Sequence, residues 1–439
     1  MKNWHFTTVS QISSTMKVDF NIDIHHLPRV EGHGNIHISV KNGKLEKAQW
    51  EVIETPRFFE MMLRGVSAER ASFLTSRICG ICSVSHSLAS IRTLERAMEI
   101  DPPEAAKAVR LLAMHGETLQ SHALHLFFLA APDFLDMPSA VPILHAHPEI
   151  VKAGLLLKEL GNEMSIATTG RATHPVSLVL GGVSKAPSKQ RLKELKEMIR
   201  KRHSALDTAT DFFRTLAIPE FVRETEFISL HNGKDYPFIG GDLVSTDGVV
   251  RDENDYLLMT NEYTTDFSTS KFTRVSRESS AAGALARFNN NARYLGHRAL
   301  EVAESFGLEA VCHNPFMNNI AQLVECHHIF ESAETLIDRL LNDDLQHIRT
   351  AFKPRAGEAT GAVEAPRGVL YHHMETDNDG KVVKADCIIP TTQNNANIHY
   401  DLQALAAEAV KAGKTDRETE KLCEMLVRAY DPCISCSVH

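Results

Sequence analysis

Two Cys-x-x-Cys pairs stand at opposite ends of the chain, Arg77-Ile78-Cys79-Gly80-Ile81-Cys82 and Asp431-Pro432-Cys433-Ile434-Ser435-Cys436, each followed closely by a histidine, His86 and His439. Together they offer four thiolates, enough to hold a soft metal in a sulfur cage. A zinc ribbon closes the same ligand set over about 15–20 residues. Here almost the whole chain lies between the pairs, so the cage forms only if the fold brings its two ends together in the core. On the residues alone the cage remains either a structural Cys₄ zinc site or a reactive centre. Arg77, just ahead of the first pair, favours the second, because a guanidinium lowers thiol pKa. His86 and His439 stand where an imidazole donates to a thiolate or binds a second ion.

The 439 residues exceed most single domains, and 43% hydrophobic content supports a large core. A net charge of −9 argues against a nucleic-acid partner. The most apolar stretch, Ala123 to Ala131, is too short to span a membrane. Met1 to Gln11 lacks the basic and apolar regions of a signal peptide. Eight cysteines in a chain of this length do not make a secreted disulfide framework, and a reducing, cytoplasmic setting with metal-bound thiolates fits better. Cys312, Cys326 and Cys423 read as small core hydrophobes.

The periodicity predicts one domain over residues 1–439, mainly α with α+β additions: a large helical core bundle, an N-terminal β-hairpin and smaller β excursions. Val18, Phe20, Ile22 and Ile24 alternate with polar residues, as do Ile36, Ile38 and Val40 before the Asn42-Gly43 turn, so 18–55 reads as strands. Helical patterns follow from Pro56 to about Met98, from Pro102-Pro103 to Ala131, and over 148–168, 187–215, 280–306, 318–350 and 401–430. Residues 225–275 read as a strand-rich excursion on the surface, and 362–392 as a second β region with a turn at Asn378-Asp379-Gly380. His122 and His125, spaced i, i+3, and His174 are candidates to face a site, though core histidines with satisfied hydrogen bonds are commoner. The adjacent pairs His25-His26, His327-His328 and His372-His373 are expected at the surface.

Arg-x-Cys-Gly-x-Cys-x-x-x-His near one end and Asp-Pro-Cys-x-x-Cys-x-x-His at the other resemble the large subunit of nickel–iron hydrogenases. Four further segments fall in the same order: Arg29-Val30-Glu31-Gly32-His33, Arg57-Phe58-Phe59-Glu60, and the loops Ala365-Pro366-Arg367-Gly368 and Pro390-Thr391-Thr392. The resemblance covers essentially the whole chain. It implies that Cys79 and Cys433 are terminal nickel ligands and that Cys82 and Cys436 bridge nickel and iron, with carbon monoxide and two cyanides on iron. It places Arg367 over the open side of the metals and lines the diatomic ligands with Pro366, Pro390 and Thr391. His86 would hydrogen-bond a bridging sulfur. Glu31 would relay protons near Cys433; outside this context a bend glutamate is usually just solvated. Glu60, His439 and the backbone carbonyl of Cys387 would hold Mg²⁺ or a similar divalent cation, with the chain end buried after removal of a C-terminal extension.

The implied activity is heterolytic cleavage of H2, the proton passing to Cys433 or Arg367 and then to Glu31. Cys312, Cys326, Cys387 and Cys423 are too scattered to bind an iron–sulfur cluster, so electrons must leave through a small iron–sulfur subunit docked near residues 29–82. The C-terminal segment Val427–His439 and the Pro56–Glu60 segment most resemble the cytosolic multi-subunit branch, whose further subunits serve flavin and NAD(P), deazaflavin, or heterodisulfide-reductase-type partners. The rival readings are a complex I-like subunit in quinone and proton-pumping chemistry, disfavoured by the four retained cysteines, and a structural Cys₄ zinc protein.

Overall fold

The computed structural model describes residues 19–439. Val18 and the Met1–Gln11 stretch lie outside the described residues. β1 (Phe20–Ile24), β2 (Gly34–Lys41) and β3 (Lys44–Val52) form an antiparallel sheet in that order. Asn42 and Gly43 take φ of 52° and 67°, the left-handed pair that a two-residue hairpin requires. Ile36, Ile38 and Val40 turn inward with Trp50, whose Nε1 donates to Asn395 Oδ1 at 3.1 Å and pins the sheet to the helical body.

The helical stretch after Pro56 resolves into α1 (Phe59–Leu63), α2 (Ala68–Thr75) and α3 (Ser83–Met98). α4 (Glu104–Leu124) continues into a π-helical turn at His125–Ala130. The ladder widens there just ahead of Pro132, which has no N–H to offer. α4 crosses α5 (Pro148–Thr169) where Gly116 and Gly161 meet; a Cβ on Gly161 would come within 2.6 Å of Gln120 N. α6 (Lys189–Arg214), opened by a Ser188 cap, packs on α5.

Residues 225–275 are strand-rich, and part of them lies inside rather than on the surface. β4 (Glu226–His231) is buried along its length and pairs with β5 (Asp242–Ser245) in a four-stranded sheet. Ile228, Leu230 and Leu243 pack with Tyr256, Val369, Tyr371 and Ile388 in a second, smaller core. Turn signals flanked a strand without alternation, the mark of one covered on both faces. The predicted helix over 280–306 is interrupted, because Gly283 takes φ of 129° and Ser280–Ala281 pairs with β4; α7 (Ala284–Asn291) starts only after it. α8 (Asn318–Asn342) runs back through the bundle.

β6 (Gly357–Ala365), β7 (Gly368–Thr376) and β8 (Val382–Ile388) form an antiparallel sheet that begins earlier than residue 362. α3 lies directly on β6. A Cβ on Gly361 would meet Thr93 N at 2.5 Å, and Thr93 Oγ1 donates to His372 O at 2.7 Å. The pattern over 401–430 divides into α9 (Pro390–Lys411) and α10 (Asp416–Ala429), separated by Gly413 and a Thr415–Glu418 capping box. A short turn of helix, α11 (Ile434–Ser437), begins after Cys433 and carries Cys436.

Candidate metal centre

Cys79 sits in the turn after α2, and Cys82 caps α3; Cys433 caps α11 and Cys436 lies on it. The four sulfurs converge. Cys79 and Cys433 Sγ are 3.7 Å apart, Cys82 and Cys436 Sγ 3.8 Å, and all four lie within 4.8 Å of one another, each thiol buried.

Two connections hold the ends of the chain together. The Glu31 segment pairs with Cys433 as an isolated parallel bridge, Ile434 N donating to Glu31 O at 2.9 Å. Arg57 Nη2 donates to Ile78 O at 2.8 Å and also to Ser435 O. One guanidinium thus grips the residue before Cys79 and the residue before Cys436. In the sequence Arg57 shows nothing of this role beyond its nearness to Glu60. Arg77 was expected to polarise the thiols, but its guanidinium lies 4.6 Å over the Phe73 ring instead.

The thiols are electrostatically unequal. Burial raises the Cys79 pKa, but hydrogen bonding with Cys433, Cys436 and Cys82 outweighs it and holds the thiol well below its usual value. Amide N–H groups of Ile81 and Cys82 also point at Cys79 Sγ, at 3.3 and 3.0 Å. Cys433 is pushed well up, first by Cys436, then by Cys79 and Cys82. Four thiolates crowded without a cation repel one another, so this donor set calls for a soft metal.

Arg367 occupies the two-residue turn between β6 and β7, where Ala365 pairs with Gly368. Its Nε donates to Asp431 O at 2.7 Å and Nη2 to Asp431 Oδ1 at 2.9 Å. Burial opposes its charge, yet Asp431 and the sulfurs of Cys433, Cys82 and Cys79 hold it fully protonated. Nη1 is buried without a hydrogen-bond partner among the described residues. Pro366 shares the turn, and Pro390 opens α9. Thr391 Oγ1 accepts Cys433 N–H at 2.9 Å, which leaves its O–H free to donate. A partnerless N–H and a free hydroxyl proton beside four thiols suit a metal that carries small acceptor ligands.

Glu31 is half-buried. Its Oε2 lies 3.2 Å from Cys433 Sγ and accepts Ser435 N–H at 3.1 Å; Ser435 Oγ donates to Oε1. His86 does not hydrogen-bond a sulfur here: Nδ1 faces His372 Nε2 at 3.3 Å, and His372 Nδ1 continues to Ser90 Oγ at 2.8 Å. Burial lowers the His86 pKa to about 4, so the ring is neutral. Glu60 Oε1 is 3.3 Å from His439 Nε2. Burial opposes ionisation of Glu60, but His439 and the Cys387 amide bring it down to about 2. The Cys387 N–H donates to Glu60 Oε1 at 2.9 Å, which brings Cys387 beside Glu60 and His439.

The remaining histidines fall elsewhere. His122 pairs with Glu325 at 2.7 Å, His125 bonds Gln322 and Arg428 O, and His174 bonds Ser76 O. His25 and His26 are exposed, but His327, His372 and His373 are buried, because their elements are covered on both faces.

A sulfur cage closed from both termini of a helical subunit, faced by an arginine and a carboxylate, defines the catalytic subunit of a metalloenzyme. A family model described as nickel-dependent hydrogenase matches residues 57–153 and 314–439. The chain is 32% identical to sulfhydrogenase 2 subunit alpha of Pyrococcus furiosus, over 95% of this chain and 98% of that protein. It is 34% identical to sulfhydrogenase 1 subunit alpha of the same organism, over 95% and 97%. Its structure matches an NAD⁺-reducing [NiFe]-hydrogenase in the H2-reduced state with TM-score 0.86 and 29% identity, covering 96% of this chain and 99% of that one. The chain belongs to the nickel-dependent hydrogenase family. It is a hydrogenase large subunit, with a nickel–iron centre and the catalytic role in H2 cleavage. The structural-zinc and quinone-chemistry readings give way to this.

Proposed function

We propose that Cys79, Cys82, Cys433 and Cys436 would hold the nickel–iron centre, Cys79 and Cys433 as ligands of nickel alone and Cys82 and Cys436 as ligands shared by nickel and iron, the iron carrying carbon monoxide and two cyanides. When bound, this centre supplies the Lewis acidity and redox capacity that split H2. The chain's own groups do the rest. Arg367, its cation fixed by Asp431, stabilises negative charge through the free Nη1 without reorganising. The free hydroxyl proton of Thr391 serves a cyanide, and Pro366 and Pro390 keep the pocket around the diatomic ligands apolar. Cys433 Sγ takes up a proton and passes it to Glu31 Oε2, 3.2 Å away; Ser435 Oγ, on the other carboxylate oxygen, is the next group outward. His86, neutral and held by His372, keeps a fixed orientation behind the cage.

Glu60 and His439 are assigned to Mg²⁺ or a similar divalent cation, which would tie α1 to the chain end. For electrons we assign a small iron–sulfur subunit. Its support is the exposure of large apolar residues on and around α1 and α2, ahead of the first cysteine pair in the chain: Phe58, 64% exposed, with Met61, Met62 and Phe73. Among the described residues the only clustered cysteines are the four of the cage. Relatives named as subunit alpha of sulfhydrogenases and a structural match titled an NAD⁺-reducing hydrogenase support further electron-transfer subunits; we assign these to the flavin/NAD(P), deazaflavin or heterodisulfide-reductase type, in a cytoplasmic complex. No helix among the described residues is long and apolar enough to cross a membrane.

The observation that carries the reading is the convergence of four sulfurs within 4.8 Å. Cys433→Ala should abolish H2 uptake by the purified complex. Retained uptake would remove this cysteine from the mechanism.

A further inference from the structure

Arg287 on α7 is completely buried, distant in sequence from both cysteine pairs, and carries no role in the chemistry above. All five of its N–H groups are used. Nε and Nη2 grip Glu325 at 2.6 and 2.7 Å, and Nη1 reaches Glu364 at 3.0 Å. The two remaining donors go to backbone carbonyls: Nη1 to Ala365 O at 2.9 Å and Nη2 to Pro366 O at 3.0 Å. Ala365 and Pro366 are the two residues immediately before Arg367.

The partners of Arg287 are themselves fixed. Glu325 also accepts from Tyr236 O–H at 2.6 Å and meets His122 Nε2 at 2.7 Å, while Glu364 accepts Leu230 N–H at 2.7 Å. The result is a rigid buried block spanning α4, α7, α8 and β4, with the turn that carries Arg367 attached to one side. A two-residue turn has no ladder hydrogen bonds of its own at the tip. Asp431 holds the far end of Arg367; the near end is held through these carbonyls.

We infer that Arg287 is a positioning residue for the reaction, setting where the Arg367 guanidinium sits by clamping the carbonyls of Ala365 and Pro366. The inference rests on the proposed role of Arg367. Only a planar fork with five donors serves four acceptor groups on two sides at once; a lysine ammonium has three donors on one atom. A displacement of about 1 Å at a catalytic group costs up to about 100-fold in rate, so a loosened turn is felt in turnover although Arg287 touches no reacting atom.

The test is a double-mutant cycle in the purified complex: Arg287→Lys, Arg367→Lys and both together, read by H2 uptake, nickel and iron content, and the infrared cyanide bands. Arg287→Lys should lower turnover by about 10-fold or more with the metals in place and KM for the electron acceptor unchanged. In the Arg367→Lys background it should cost less than about twofold. Its cyanide bands should move in the same direction as those of Arg367→Lys. Equal losses in both backgrounds, or unmoved bands, overturn the positioning role and leave Arg287 a stability residue. If Arg287→Lys does not accumulate with its metals, Glu325→Gln, which keeps the shape and one acceptor, is read in the same cycle with the same two outcomes. An Arg367→Lys variant of parental activity would instead remove the assignment of Arg367, and the positioning role with it.

Discussion

Replacing Glu31 by glutamine changes one atom in the side chain and removes its capacity to carry a proton. The carboxylate stands directly against Cys433 Sγ at 3.2 Å, with no group between them. General acid–base groups in such contact contribute about 10²–10⁴-fold. Glu31→Gln should therefore slow exchange of D2 with water by at least about 100-fold, about 2.7 kcal/mol in barrier. The fold should survive. The backbone bond from Ile434 N to Glu31 O at 2.9 Å does not involve the side chain, and the amide oxygen still accepts from Ser435. One mismatched contact, the new NH₂ against Ser435 N–H or Cys433, costs about 1–2 kcal/mol. Mass-spectrometric D2/H2O exchange, beside nickel and iron analysis of the same sample, separates these effects. Exchange within about twofold of the parent, with both metals present, would refute the relay.

Two further perturbations probe the frame around the site. Glu117, buried on α4, accepts Val84 N–H and Ser85 N–H at 2.6 and 2.9 Å at the start of α3, and burial raises its pKa from 4.5 to about 8. Between those values the folded chain holds a proton that the unfolded chain releases, so stability falls as pH rises from about 4.5 to 8 and levels off above. Glu117→Gln lacks that proton, so its melting temperature should gain on the parent's between pH 5 and pH 8; parallel curves would contradict the burial argument. Gly161→Ala should destabilise by about 1–3 kcal/mol, because its methyl meets Gln120 N at 2.6 Å and α5 must move off α4; an unchanged denaturation midpoint would mean the helices part freely.

The centre was legible in the sequence because its chemistry is carried by residue types: four cysteines in two spaced pairs, with a histidine after each. The N-terminal hairpin was legible because Asn42-Gly43 and the alternation of Ile36, Ile38 and Val40 are local signals. What was lost is what depends on tertiary cover. β4 does not alternate, so its burial on both faces appears only when the β6–β8 sheet lies against it. His327, His372 and His373 looked like surface residues because nothing local announces a second layer. Arg57 and Arg287 act on backbone carbonyls, which every residue has, so their partners leave no trace in the sequence. The same holds for Arg77, whose neighbour Phe73 lies one helical turn away and competes with the thiols for its guanidinium.

The central claim is that the four converging sulfurs hold nickel and iron together. Metal analysis of the purified complex, with infrared spectroscopy of the same sample, tests it most directly. Nickel and iron in equal amount in the large subunit, with stretching bands of metal-bound carbon monoxide and cyanide that vanish in Cys82→Ser and Cys436→Ser, is the result the account predicts. Zinc alone in the cage, with no such bands from enzyme that takes up H2, would contradict it.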